Sequence, residues 1–273
     1  KDLSGTILTR VDLSGMDLTG TILANANLTG ADFTGVDLTG AKLAGVDLSG
    51  MDLTGTMLTG ADLTGKDLSG TILIGADLTD TILTGVDLSG KDLSGTILIE
   101  ADLTDTILTG VDLSGMDLTG TILRGADLSG MDLTYTILTR ADLSHTILAR
   151  ADLSTVVFHK TILRGADLTD TILTGANLAG MDLTGTILTG VDFTGVNLSG
   201  SKLMGVDLSG MILTDAMLYR ANLTGANLSG ADLTGATILR TTLFQTNLTN
   251  ADLTGATIVN TILNCVGHPI CVD

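Results

Sequence analysis

The stretch TILTGVDLSGKDLSGTILIEADLTD, residues 81–105, decides how this chain folds. It consists of five pentapeptides that resemble one another. As a block it is matched by residues 56–80 at 21 of 25 positions and by residues 106–130 at 19 of 25 positions. The chain therefore carries two periods, a short one of a single pentapeptide and a longer one of five pentapeptides.

The five-residue period extends over almost the whole chain. Residues 1–265 divide into 53 pentapeptides without insertion or deletion, and the third position is Leu in 48 of them. Of the 35 glycines, 34 occupy the fifth position, and Asp fills 25 of the second positions. Because self-similarity at a fixed period indicates a repeat architecture, we expect a single continuous array over residues 1–265 and a short C-terminal tail over residues 266–273.

A period of five fits neither an α-helix, whose period is about 3.6, nor the simple alternation of side chains along a strand. It does fit short extended segments that each end in a turn, since Gly beside Ser, Thr or Asp marks turns. Side chains of an extended segment alternate in direction. The first and third positions should therefore point inward and the second and fourth outward, while the fifth helps to turn the corner.

Repeats such as ADLTG, ANLSG and VDFTG resemble the pentapeptide-repeat family, whose signature is A(D/N)LXX. The resemblance covers residues 1–265. It implies an all-β fold, a right-handed quadrilateral parallel β-helix with four pentapeptides in each 20-residue coil, and so about 13 coils. We name the four sides of the coil by the pentapeptides that begin them, at residues 1, 6, 11 and 16.

Composition argues against several functional classes. The net charge of −18 disfavours direct nucleic-acid binding, which relies on Lys and Arg at phosphates. Apolar runs are far shorter than the ~20 residues that span a bilayer, so we expect no membrane insertion. The histidines, His145, His159 and His268, lie at no recognisable catalytic spacing, and no phosphate-binding glycine loop occurs. We therefore expect no enzymatic activity, no cofactor and no metal.

Asp is most frequent at the second position of the third side. Carboxylates stacked about 5 Å apart repel one another, so we expect them to titrate above the ordinary pKa. The strip could bind cations or mimic DNA; the alternative is that Asp is simply the default residue of the repeat. The acidic strip consists of Asp12, Asp32, Asp52, Asp92, Asp112, Asp132, Asp152, Asp192, Asp232 and Asp252.

A second departure from the repeat is basic and aromatic. Between residues 135 and 160 the fifth position loses Gly six times in succession. One interpretation is a docking site for the acidic surface of a partner or of another copy; the other is drift at a tolerant corner position. This girdle consists of Arg124, Tyr135, Arg140, His145, Arg150, His159, Lys160 and Arg164.

Successive copies of the 25-residue unit are each displaced by one side of the coil, because five pentapeptides are one more than a coil contains. The outward Ile of each TIL motif should therefore appear on all four sides, which argues against one flat motif face. So many outward apolar side chains could support lateral packing.

Large residues at some first positions should not fit a cramped interior. Two outcomes are open: these side chains bend outward toward nearby Asp, or the coil is locally distorted. The residues are Met16, Met51, Met116, Met131, Met181 and Met211, together with Lys66 and Lys91.

Two kinds of covalent modification are open. Cys265 and Cys271 flank a short terminal loop and predict a disulfide, with a reduced pair as the alternative. A disulfide would favour an extracellular or secreted protein, and reduced cysteines a cytoplasmic one. The chain also contains five N-glycosylation sequons; because the repeat can produce this pattern when Asn replaces Asp, coincidence is the alternative to modification. The sequons are at Asn27, Asn197, Asn222, Asn227 and Asn247.

We expect a structural or scaffold protein that binds a protein partner or itself. Open edges of a β-helix invite pairing, so copies could stack end to end into an extracellular filament or pack laterally. The alternatives are a general protein-interaction module or, as the family resemblance implies, a DNA-mimicking modulator of a type II topoisomerase.

Overall fold

The computed structural model describes residues 1–271 of the chain. They form two compact units, Lys1–Asp127 and Leu128–Asp273, which we call unit 1 and unit 2 and describe separately. The single array over residues 1–265 stays a prediction. Residues 272 and 273, the end of the predicted tail, lie outside the described residues.

Both units are built from coils of four pentapeptides. In unit 1, Ile82 pairs in parallel with Asp62 and with Asp102; in unit 2, Asp182 pairs in parallel with Ile162 and with Lys202. Four pentapeptides complete one coil, so the architecture is a right-handed quadrilateral parallel β-helix. The predicted fold class is confirmed.

The pentapeptide ADLTG at residues 61–65 illustrates the repeat. Ala61 and Leu63 are fully buried, Asp62 and Thr64 are exposed, and Gly65 has a φ of 61° in the turn. Burial of each central Leu contributes about 2 kcal/mol. The predicted inward and outward positions thus match the structure.

Hydrogen bonds join this pentapeptide to the next coil. Leu63 N donates to Ile82 O at 2.8 Å, and Ile82 N donates to Ala61 O at 2.9 Å. A third bond, at 3.3 Å, runs from Gly65 N to Thr84 O. This ladder satisfies the backbone polar groups that burial would otherwise leave unpaired.

The TIL pentapeptides place Thr inside and Ile outside. Thr81 is buried, and its hydroxyl donates to Leu58 O of the preceding coil at 3.0 Å; Thr161 does the same to Leu138 O at 2.7 Å. A buried hydroxyl is costly unless it is hydrogen-bonded. The hydrogen bonds to the Leu58 and Leu138 carbonyls therefore explain why Thr is tolerated at an inward position.

Regular strands are short because each side of the coil ends in a turn. The named strands are β1, Thr237–Leu239, and β2, Thr257–Val259, which pair in parallel with Thr237 opposite Thr257. Residues 1–271 contain no helix, and therefore none with the length and apolar character that a bilayer crossing requires.

Pairing continues just beyond the last pentapeptide. Val266 pairs with Asn247, and Val266 N donates to Thr246 O at 2.9 Å. An unbroken repeat would instead place position 267 opposite Asn247. The coil is thus shortened by a single residue where the sequence leaves the repeat.

Candidate functional site

The second-position Asp residues cap their own turns, as one example from each unit shows. In unit 1, Asp112 Oδ1 accepts hydrogen bonds from Ser114 N at 2.9 Å and from Ser114 Oγ at 2.7 Å. In unit 2, Asp192 Oδ1 accepts from Thr194 N at 2.8 Å and from Thr194 Oγ1 at 2.6 Å. The Asp–Leu–Ser/Thr sequence is therefore a local turn motif.

This capping reverses one expectation from the sequence. Hydrogen bonds from the Ser14 side chain and backbone hold the pKa of Asp12 below its ordinary value, and the pKa values of Asp92, Asp112, Asp232 and Asp252 are lowered in the same way. The expectation of raised pKa values was wrong for these five residues. Bonds to the ionised form outweigh the repulsion between neighbouring carboxylates.

The structure divides the acidic strip between the two units. Asp12, Asp32, Asp52, Asp92 and Asp112 lie in unit 1, and Asp132, Asp152, Asp192, Asp232 and Asp252 lie in unit 2. The row is interrupted because Ile172 pairs with both Asp152 and Asp192. Within residues 1–271, no group of three or more His, Cys, Asp or Glu side chains is arranged to hold a metal ion.

Within unit 2, the basic girdle residues do not form one cluster. Arg124 belongs to unit 1 and the other seven residues to unit 2. In unit 2, Arg140 N donates to His159 O at 2.8 Å, and His145 N donates to Arg164 O at 3.1 Å, on different sides of the coil. Tyr135 and Arg150 occupy the two remaining corners.

The girdle corners share one backbone conformation. Tyr135, Arg140, His145, Arg150 and Lys160 all have φ between 58° and 63°. Among fifth-position residues from 5 to 260, Thr155 alone lacks a positive φ. Its hydroxyl instead accepts a hydrogen bond from Tyr135 N at 2.9 Å.

Sequence reasoning missed two basic residues that extend the fourth corner. Arg220 and Arg240 lie a whole number of coils from Arg140 and Lys160, and Arg220 N donates to Leu239 O at 2.9 Å. The Arg220 guanidinium lies over the Tyr219 ring at 5.1 Å from its centroid. Sorting fifth positions by the coil period beyond residue 164 would have found them.

The fourth side of unit 2 carries no Asp or Glu in any of its seven described pentapeptides. They begin at residues 136, 156, 176, 196, 216, 236 and 256. Its exposed apolar side chains include Val157, Met217 and Val259, which are 49%, 41% and 49% exposed. On a chain of net charge −18, this side is uncharged along its face and basic along its corner.

The fourth side of unit 1 has the opposite character. Its pentapeptides, from residues 16, 36, 56, 76, 96 and 116, contain no Lys or Arg. Met57 and Ile97 are 39% and 42% exposed on this side. Its acidic residues are Asp17, Asp37, Asp77, Asp80, Glu100 and Asp117.

Four large first-position residues open the ladder of unit 1. Within the described residues of unit 1, Asp47, Ser49 and Asp52, which flank Met51, make no backbone hydrogen bond to the preceding coil. The residues at the same spacings from Lys66, Lys91 and Met116 make none either. Shallow clefts of about 300 to 550 Å³ lie at these openings. Local distortion, one of the two predicted outcomes, therefore occurs at these four positions.

The two lysines take the place of missing backbone donors. Lys66 Nζ donates to Leu43 O at 2.7 Å and to Val46 O at 2.8 Å. Lys91 Nζ donates to Thr71 O at 3.0 Å. In an intact ladder the Val46 and Thr71 carbonyls would accept from the backbone N–H one residue after each lysine. Partial burial lowers the Lys66 pKa, although Asp47 and Asp62 act in the opposite direction.

The other large residues behave differently. Met131 and Met181 are buried, and Met116 and Met211 are half-buried, whereas Met16 is 44% exposed. Ile162 and Asp182 still pair beside Met181. Outward bending, the second predicted outcome, thus fits Met16.

The sequon asparagines also cap turns. Asn27 Oδ1 accepts from Thr29 N at 3.1 Å. On the second side of unit 2, Asn247 Nδ2 donates to Asn227 Oδ1 at 3.1 Å, and Asn227 Nδ2 donates to Asp207 Oδ1 at 3.0 Å. N-glycosylation at Asn27, Asn197, Asn222, Asn227 and Asn247 stays a prediction, and at Asn227 and Asn247 it would displace these bonds.

The terminal cysteines are joined. Cys265 and Cys271 form a disulfide with their Cα atoms 5.0 Å apart. Cys271 N donates to His268 O at 3.0 Å, and Ile270 N donates to His268 Nδ1 at 3.3 Å. The loop closed by the disulfide is therefore a turn organised around His268.

Comparison with known proteins identifies the repeat. The family of pentapeptide repeats matches overlapping segments from residues 2–35 to residues 226–264. No curated protein matches the chain.

Three solved structures show the range of similarity. HetL, a pentapeptide repeat protein involved in heterocyst differentiation regulation from the cyanobacterium Nostoc sp. strain PCC 7120, is 28% identical over 98% of this chain and 92% of that chain, with a TM-score of 0.22. Rfr23, from the cyanobacterium Cyanothece 51142, is 28% identical over 46% of this chain and 64% of that chain, with a TM-score of 0.19. Full-length QnrB1, a plasmid-mediated fluoroquinolone resistance protein, is 21% identical over 66% and 90%, with a TM-score of 0.30.

Those TM-scores are low, so the assignment depends on the repeat itself. The family match runs from residue 2 to residue 264, and the pairing of successive coils recurs through both units. The chain therefore belongs to the pentapeptide repeat family.

Proposed function

We propose that this protein is a non-enzymatic structural scaffold that works through protein contacts, including contacts between its own copies. The observation that supports this function is that the polar side chains are hydrogen-bonded within the repeat. The Asp, Ser and Thr residues that could serve catalysis are largely engaged in capping turns or corner carbonyls, as Asp112 with Ser114 and Thr81 with Leu58 illustrate.

Exposed isoleucines favour contact with other proteins. Ile107, Ile172, Ile187 and Ile212 are each 47% to 51% exposed on coil faces. Many outward apolar side chains at regular spacing are typical of interaction surfaces rather than of an isolated monomer.

End-to-end stacking is the filament form of this proposal. Leu3 and Leu8 in the first coil and Leu253 and Leu263 in the last are half-buried, so that a protein of residues 1–273 would bury them by stacking. Electron microscopy of such a protein tests this form, with end-joined rods expected. Discrete particles at every salt and protein concentration would contradict it.

The compartment is part of the proposal. The Cys265–Cys271 disulfide favours an oxidising, extracellular or secreted environment. Mass spectrometry of the protein isolated from its native source, after alkylation without reductant, should find no free thiol. Two alkylated cysteines would place the protein in a reducing compartment instead.

A second candidate is the topoisomerase modulator. Its support is the outward rows of capped carboxylates, such as Asp12 and Asp112, which are negatively charged at neutral pH. A supercoiling assay with DNA gyrase tests it. Neither inhibition nor protection at stoichiometric protein would remove this candidate.

A further inference from the structure

We propose that the fourth side of unit 2 binds the fourth side of unit 1 of a second copy of this chain. The two faces are opposite in charge and share the same coil repeat. This contact rests on the proposed self-association and specifies which surfaces make it.

The basic face is defined by its exposed corner. Lys160, Arg220 and Arg240 are exposed, hold φ between 55° and 58°, and project from one corner of unit 2. Arg220 and Arg240 are one coil apart, about 5 Å. The pentapeptides of this side contain no carboxylate that would neutralise them.

The acidic face repeats at the same spacing. Asp17 and Asp37 are one coil apart and pair directly, and Asp37 also pairs with Met57. Asp80 projects from the fourth corner with φ 55°. Because both faces are built from the same coil of four pentapeptides, successive charges on one face can meet successive charges on the other without a change of register.

Apolar side chains accompany the charges on both faces. Val157, Met217 and Val259 are exposed on the basic face, and Met57 and Ile97 on the acidic face. Contact would remove these side chains from water and bring the opposite charges together in a less polar environment. A second copy therefore fits this surface better than a featureless polyanion, which would satisfy only the basic corner.

The contact is heterologous, because it joins different surfaces of the two copies. A pair joined by one such contact keeps one acidic and one basic face free. These free faces can bind further copies as the protein concentration rises, or bind each other and close the dimer.

Two face variants test the contact in the full-length protein. The basic-face variant combines Lys160→Gly, Arg220→Gly and Arg240→Gly; Gly is the usual fifth-position residue and suits the positive φ. The acid-face variant combines Asp17→Asn, Asp37→Asn, Asp77→Asn and Asp80→Gly. Asn keeps the turn cap, as Asn27 shows by accepting from Thr29 N.

Control variants change similar charges on other sides. Asp12→Asn, Asp32→Asn and Asp52→Asn remove carboxylates from the third side of unit 1. Arg150→Gly, Arg164→Thr and Lys202→Asn remove three positive charges from the first and second sides of unit 2. Circular dichroism and thermal unfolding check that every variant is folded.

Sedimentation velocity at low salt, about 20 mM, and at high salt, about 500 mM, reads out association. We expect the wild type and both controls to form concentration-dependent oligomers at low salt that dissociate at high salt. Each face variant alone should be at least tenfold weaker in association. An equimolar mixture of the two face variants should form a complex that stops at 1:1, because only one complementary pair of faces remains.

The outcomes separate this contact from the broader proposal. A wild type that stays monomeric at low salt would overturn both this contact and self-association. Oligomers that persist in both face variants would overturn this contact alone and leave end-to-end stacking in place. Failure of the mixture to form a 1:1 complex, or wild-type binding to heparin without self-association, would also overturn it.

Discussion

Seventeen non-glycine residues hold the left-handed φ that the fifth position of each pentapeptide requires. A side chain in this conformation costs about 1–2 kcal/mol relative to right-handed backbone. Ladder bonds such as Arg140 N to His159 O hold the corner in place regardless. Corners are therefore where this repeat can carry a charged or aromatic side chain without disturbing its core.

Replacing Tyr135 with Gly should stabilise unit 2 by about 1 kcal/mol, because Gly adopts a φ of 61° without strain. The Tyr135 side chain is 72% exposed and loses little packing. Chemical denaturation measures the change. The reverse substitution, Gly130→Ala at φ 67° with open space around it, should destabilise by a similar amount.

Thr155→Gly is the matched control, since Thr155 lacks the positive φ. It should not raise the free energy of unfolding, because it relieves no strain and removes the hydroxyl that accepts the Tyr135 N–H hydrogen bond. Equal stabilisation by Tyr135→Gly and Thr155→Gly would show that corner strain is not the cause.

Replacing Lys66 with Thr should close one opening in unit 1. A Thr hydroxyl there can donate to Leu43 O, as Thr71 donates to Leu48 O in the neighbouring corner at 2.8 Å. Up to five ladder hydrogen bonds to the preceding coil would be restored, each contributing about 1 kcal/mol, while the two bonds from Lys66 Nζ would be lost. We expect a higher free energy of unfolding and slower hydrogen exchange at Asp67 N.

Lys66→Met provides the comparison for this prediction. It removes the ammonium but keeps a large side chain, as at Met51, where the ladder is also open. Slow exchange at Asp67 N in the Met variant would show that charge, and not size, opens the ladder.

At the scale of the element, each side of a coil is a short extended segment closed by a capped turn. The carboxylates that cap the turns have pKa values lowered by hydrogen bonds from the residue two positions later, as at Asp12 and Asp232. A lower pKa in the folded chain means that the unfolded chain binds more protons in acid.

Stability should therefore be complete above the ordinary Asp pKa, near 3.8, and should fall as the pH drops through the lowered folded values. Urea denaturation between about pH 6 and pH 2 measures this. A variant with Asp12→Asn, Asp92→Asn, Asp112→Asn, Asp232→Asn and Asp252→Asn keeps caps that do not titrate. Its loss of stability in acid should be smaller, and an equal loss would refute the role of these caps.

The inward, outward and corner positions of these elements could be predicted from the five-residue period, and the four-sided coil from the resemblance to the pentapeptide-repeat family. Leu at most third positions and Gly at most fifth positions indicate the inward side and the corner of the coil. The capping bonds could not be predicted in the same way, although Asp112 and Ser114 are close in sequence. Without the turn geometry, the stacking of carboxylates predicts only repulsion and therefore a raised pKa. Nor could sequence decide whether Lys66 would bend outward or open the ladder, since that depends on which carbonyls lie within reach.

At the scale of the molecule, the repeat is uniform but the two units are not. In unit 1, Asp47, Asp67, Asp92 and Asp112 form no β-bridge, whereas every second-position residue of unit 2 from Asp132 to Ile262 forms one. Stability in a repeat protein is approximately a sum of local and neighbour terms. Openings in the ladder should therefore weaken unit 1 near those positions.

Native-state hydrogen exchange should show unit 1 opening before unit 2. Amides beside the openings, such as Leu43 N and Leu68 N, should exchange with a free energy well below that of Leu203 N, which donates to Asn222 O at 2.8 Å. Combining Met51→Ala, Lys66→Thr, Lys91→Thr and Met116→Ala should raise protection in unit 1 and leave unit 2 unchanged. If unit 2 opened first, or if the fourfold variant left the order of exchange as it was, the large first-position residues would not be what limits the stability of unit 1.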